Sequence, residues 1–211
     1  MIKIFIRTTG ERKLHESIDI ELKGNYTLLV DKEHKPVDSF IKQLKEIDKY
    51  DSILLEDDVI LCKNFLVNIE KAISEWPNQI INFFTIPNEW FTSFSTIGHF
   101  VYNQCTYYPK GISKRLAEEM ERIRKPYNQY DTLENLAMYN LNIPSVRYRP
   151  CLVQHIDCDT LIQNNSSNRR SPYFIDYLDE LNIDYKDANT PENKIKLTNL
   201  MREKFKDIDK N

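Results

Sequence analysis

Three carboxylates stand in a row at Glu56, Asp57 and Asp58, directly after the apolar run Ile53, Leu54 and Leu55. Adjacent carboxylates repel one another, which is tolerable when water solvates them or a divalent cation compensates them. Mg²⁺ and Mn²⁺ favour such oxygen ligands, taking one or two carboxylates together with substrate phosphates. The apolar run reads as a buried strand, and an open α/β sheet presents its ligand crevice at the carboxyl ends of its strands. A solvated turn after an edge strand is the alternative. Two other strand ends carry polar residues. Arg7 follows the mainly apolar stretch 2–6 and suits either a pyrophosphate or base contact or neutralisation of the acidic run. Asp31 follows residues 26–30 and suits either a base or ribose contact or a turn.

The elements around these groups are legible from periodicity. Val37, Phe40, Ile41, Leu44 and Ile47 recur at helical spacing behind Pro36, which predicts a helix over 37–50. Phe65, Ile69, Ile73 and Trp76 predict a second over 64–76, closed by Pro77. Residues 79–85 and 100–108 read as strands separated by an aromatic loop with Trp90, Phe91 and Phe94, which suits core or a lid anchor better than a stacking platform. Helices follow over 113–124 and 132–140, and 145–156 has strand character. This alternation predicts an α/β domain with a largely parallel sheet and helices on both faces. The polar stretch 161–171 (LIQNNSSNRRS) reads as a loop, and one or two charged helices follow it.

Composition narrows the function classes. The 211 residues are 41% hydrophobic and 29% charged, which suits a folded protein and excludes wholesale disorder. Glycine occurs only at positions 10, 24, 98 and 111, so neither a GxGxxG nor a P-loop is present and any nucleotide is held in another way. The cysteines, Cys62, Cys105, Cys151 and Cys158, form no CxxC pair, and buried thiols fit better than disulfides. Cys151, His155 and Cys158 in a C-x3-H-x2-C group also allow a zinc site, although the paired knuckles of structural zinc are missing. Residues 110–170 carry 10 basic and 7 acidic side chains against an overall net charge of −3, a mild local excess that suits a phosphate-bearing ligand. No run reaches the roughly 18 apolar residues of a membrane span, so no stable membrane insertion is expected and a cytoplasmic location is.

Four segments in order then carry a resemblance. LEDDV followed by KNF, QCTYYPKGISKRLAEEM with Gly111 at its turn, QYDTLENLAMYNL and RPCLVQHI together resemble the nucleotide-sugar glycosyltransferases of the GT-A fold, closest to the lipooligosaccharide type. The resemblance covers about residues 1–172. It implies a GT-A-like, Rossmann-type α/β domain with a mixed, mostly parallel sheet, and leaves 173–211 as a C-terminal helical extension packed on the same domain. It implies a nucleoside-diphosphate sugar donor, foremost a UDP-sugar, and an Mn²⁺ or Mg²⁺ ion held by Glu56, Asp58 and His155. Arg7, Asp31, Asp57, Arg169 and Arg170 fall on the donor side, with the two late arginines able to close over a diphosphate. Asp131 falls where the family carries an acceptor-side acid, and as general base it would give inversion at the sugar carbon. Tyr130 stands where an acid often precedes that residue, and IDCDT follows His155 where the family usually has Gly and Ser.

Each residue also has a plainer role. Asp131 with Glu134 three positions on matches a helix cap, His155 matches a satisfied core or edge histidine, and Arg169 with Arg170 matches an exposed charge pair. The acceptor hydroxyl stays open among a glycan, a protein side chain, a small molecule and a hydroxymethylated DNA base, the last as in phage DNA glucosyltransferases. A metal-dependent phosphoesterase or nuclease, and a non-catalytic nucleotide-binding module, use the same residues.

Overall fold

The computed structural model describes residues 1–84, 93–97, 103–124, 129–156 and 170–206. Strand β1 (Lys3–Thr8) is followed by helix α1 (Glu16–Leu22), β2 (Thr27–Val30), α2 (Pro36–Ile47), β3 (Ser52–Glu56), β4 (Val59–Leu61) and α3 (Phe65–Glu75). Then come β5 (Ile80–Asn82), β6 (Phe94–Ile97), β7 (Cys105–Tyr108), α4 (Ser113–Ile123), α5 (Tyr130–Asn140), β8 (Pro144–Arg147) and β9 (Val153–His155). Helices α6 (Ile175–Glu180) and α7 (Pro191–Phe205) end the described chain.

Seven strands form one sheet in the order β2-β1-β3-β7-β5-β8-β6. Strand β1 runs parallel to β2 and β3, and β5 parallel to β8; β7 opposes β3 and β5, and β6 opposes β8. The sheet is therefore mixed, with all strands except β6 and β7 pointing one way, as the sequence pattern implied. Strands β4 and β9 make a separate antiparallel pair.

The pleat sorts the core into two layers. Ile4, Ile6, Ile53 and Leu55 face Ile18 and Leu22 of α1, Phe65, Ile69 and Ala72 of α3, and Leu197 and Phe205 of α7. Phe5, Leu29 and Leu54 face the opposite layer, with Phe40, Ile41, Leu44 and Ile47 of α2, Leu116 and Met120 of α4, and Leu133, Ala137 and Met138 of α5. Helices cover both faces because each central strand is apolar on both sides.

Several local expectations are corrected. Helix α1 stands between the first two strands, where only Ile18 and Leu22 are buried and Ile20 is exposed, so no helical apolar stripe announces it. The segment 145–156 is two strands in different sheets, divided at Arg149 and Pro150. Phe94 begins a strand, while Trp90 and Phe91 lie outside the described residues. Among the described residues, no helix is long and apolar enough to cross a membrane.

Candidate functional site

Parallel pairing delivers three polar strand ends to one edge of the sheet. Arg7 pairs in register with Glu56, Thr8 pairs with Val30, and the Asp31 N–H donates to the Thr8 carbonyl at 2.8 Å. The chain bends at Asp57 and Asp58 before β4, whose Val59 pairs with His155. The Ile156 N–H donates to the Asp58 carbonyl at 2.8 Å, so the ladder sets Asp58 beside His155 although 96 positions separate Val59 from His155 (155 − 59).

The acids divide into two groups. Glu56 turns toward α2 and α5, where it meets Arg7 Nη1 at 3.3 Å and accepts the Tyr130 hydroxyl hydrogen bond. The Arg7 guanidinium lies 4.7 Å from the Phe40 ring centroid and 4.4 Å from that of Tyr130, and its Nε donates to Gln43 Oε1 at 2.8 Å. Burial, then the charge of Asp58, pushes the Glu56 carboxyl above its ordinary range, against the pull of Arg7 and Tyr130. Arg7 thus neutralises one acid of the run.

Asp58 turns the other way. Its Oδ2 lies 3.4 Å from His155 Nε2 and 3.0 Å from Arg12 Nη1, and the same Arg12 nitrogen lies 3.4 Å from Asp57 Oδ1. Burial would raise the Asp58 carboxyl, but the hydrogen bond and charge of His155, with Arg12, outweigh it and hold the group below its ordinary range. Asp58 Oδ1 is buried with no hydrogen-bond partner among the described residues. His155 is only 3% exposed, so the pair is largely withdrawn from solvent.

Glu56, Asp58 and His155 are therefore not gathered as one ligand set, and among the described residues no group of three or more His, Cys, Asp or Glu side chains is placed to hold a metal. Asp58 and His155 remain a fitting pair, a carboxylate with an orphaned oxygen beside an imidazole. Cys151 is buried against Ser171 Oγ and Arg149 Nη1, each at 3.3 Å, and Cys62 and Cys105 are buried free thiols; Cys158 lies outside the described residues.

Asp131 occupies the first turn of α5, with its Oδ1 accepting the Thr132 N–H at 3.0 Å. It is not the cap, which is Gln129, and Glu134 is not a surface partner. Glu134 is fully buried, accepting from Tyr108 Oη at 2.7 Å and from Asn103 Nδ2, and burial pushes its carboxyl up to about 7. Asp31 Oδ1 accepts the Glu33 N–H at 3.2 Å, which is a turn role. Arg170 is not on an open loop: it is buried, with its guanidinium 3.9 Å over the Phe205 ring, and Arg169 lies outside the described residues. Sequence reasoning passed over Arg12, Gln43 and the role of Tyr130. Only Gln43 left a signal, as a polar residue between Phe40 and Ile47 on the buried side of α2.

No protein-family model matches the sequence, and no curated protein matches it. In fold, the chain is similar to the crystal structure of A197 from STIV, at 14% identity and a TM-score of 0.47, over 81% of this chain and 94% of that one.

Proposed function

We propose that the protein is a metal-dependent glycosyltransferase that uses a nucleoside-diphosphate sugar. The observation that carries the reading is Asp58 beside His155, with one carboxylate oxygen left without a partner among the described residues, at the carboxyl edge of the parallel strands. Those two residues would hold a divalent ion, which supplies charge stabilisation to the departing diphosphate. Glu56, occupied by Arg7 and Tyr130, has a positioning role in this scheme. Asp131, in the first turn of α5, would take the proton from the acceptor hydroxyl as its oxygen bonds to the sugar carbon and the bond from that carbon to the diphosphate breaks. The acceptor class is a glycan or a modified DNA base.

The test is equilibrium binding of UDP with and without Mn²⁺. Binding that needs Mn²⁺, vanishes with EDTA and falls at least roughly tenfold in Asp58→Asn is expected. Equal UDP affinity in Asp58→Asn would remove the metal assignment. Release of UMP and sugar 1-phosphate from a UDP-sugar, which requires cleavage within the diphosphate and not at the sugar carbon, would instead favour a phosphoesterase-like hydrolase.

A further inference from the structure

Arg12 is marked by no motif, yet it is the cation in contact with both Asp57 and Asp58. Its side chain is 21% exposed and theirs are 9% and 11%, so these contacts are largely buried and solvent screens them less than a surface pair. Arg12 Nη1 and His155 Nε2 approach the same oxygen, Asp58 Oδ2, and Oδ1 is the atom left over. A guanidinium therefore already balances the charge that a divalent ion on Asp58 and His155 would balance.

The connection between β1 and α1 allows that guanidinium to leave. Gly10 holds a φ of +83°, its N–H donates to Thr8 Oγ1 at 2.9 Å, and the first turn of α1 begins only at Glu16 behind the His15 cap. Arg12 lies between these fixed points, in neither a helix nor a strand. Building on the metal-dependent reading, we propose that Arg12 is an internal counter-cation: it occupies Asp57 and Asp58 when no divalent ion is bound and must be displaced for one to bind. Metal affinity is then set below what Asp58 and His155 would give by themselves. It also spares the metal-free protein the repulsion of adjacent, partly buried carboxylates.

The test measures Mn²⁺ alone, without nucleotide, from the loss of the free-ion electron paramagnetic resonance signal in the full chain. Arg12→Gln is expected to bind Mn²⁺ roughly tenfold more tightly than the unchanged protein. Arg124→Gln, which removes an exposed charge paired with Asp38, controls for net charge and should stay within about twofold. Arg12→Lys keeps the charge on a shorter, more strongly hydrated ammonium, so its affinity should fall between the two. It carries the test if the Gln variant does not fold. Measurable binding with unchanged or weaker affinity in the Arg12 variants overturns the competition and leaves the metal reading standing. No binding by any variant at millimolar Mn²⁺ overturns both.

Discussion

Glu134 has no exposed surface, and both of its neighbours, Tyr108 and Asn103, point donors at it. Burial is the largest influence on it and lifts the carboxyl from an ordinary 4.5 to about 7, so the folded state holds the proton more tightly than the unfolded chain does. The resulting stabilisation is complete below the ordinary value and is lost as pH rises through about 7. A shift of this size corresponds to about 3 kcal/mol. Asn103 Oδ1 is buried without a partner among the described residues, so a turned amide would accept from a protonated Glu134 or from a Gln in its place. Glu134→Gln is therefore expected to be more stable than the unchanged protein at pH 8, by about 1–3 kcal/mol, with the advantage gone near pH 5. Urea unfolding at the two pH values reads this directly, and an equal difference at both would mean that Glu134 is ionised throughout. The residue resembled a capping partner in sequence because spacing reports which residues share a helix face. It does not report which face is buried.

At the scale of elements, Arg7 joins four of them. It leaves β1, pairs with Glu56 at the end of β3, lies between Phe40 of α2 and Tyr130 of α5, and bonds Gln43. Arg7→Ala would leave Glu56, whose side chain is 18% exposed, without its countercharge, at a cost of up to about 3 kcal/mol. The double variant Arg7→Ala, Glu56→Gln should recover more than half of that loss, because the amide needs no countercharge and still accepts from Tyr130. Thermal unfolding of both variants checks it; a double variant no more stable than the single one would place the loss in the guanidinium's ring contacts. The clamp was half legible. Strand ends at Arg7 and Glu56, and the stripe of α2, follow from apolar patterning, but the separation of Glu56 from Asp58 does not. Residues two apart share a face only while a strand continues, and this one bends at Asp57. Strands β4 and β9 have three residues each, too few for periodicity, so the ladder that brings His155 to Asp58 exists only through tertiary pairing.

For the whole molecule, the chain's last described helix is linked to His155 by a short path. Phe205 of α7 lies under Arg170, and the next residue, Ser171, exchanges bonds with the Gln154 side chain, its N–H donating at 2.9 Å and its carbonyl accepting at 2.7 Å. Gln154 is fully buried in β9 and immediately precedes His155. Phe205 is itself 1% exposed within the layer that packs on Ile4 and Ile6, so Phe205→Ala should cost about 3–5 kcal/mol, whereas exposed Ile195→Ala on the same helix should cost under about 0.5 kcal/mol. Gln154→Leu tests the link itself. It keeps the volume but leaves the Ser171 N–H and carbonyl without their partner, at about 1–3 kcal/mol for each group. If the C-terminal segment holds β9 in place, the same change should also weaken Mn²⁺ binding roughly tenfold, as loss of the groups that orient a ligand does elsewhere. Phe205→Ala should weaken it less, since Arg170 and Ser171 keep their other contacts. Undiminished Mn²⁺ affinity in a destabilised but folded Gln154→Leu protein would mean that pairing with β4 is enough to orient His155, and that α7 serves the core alone.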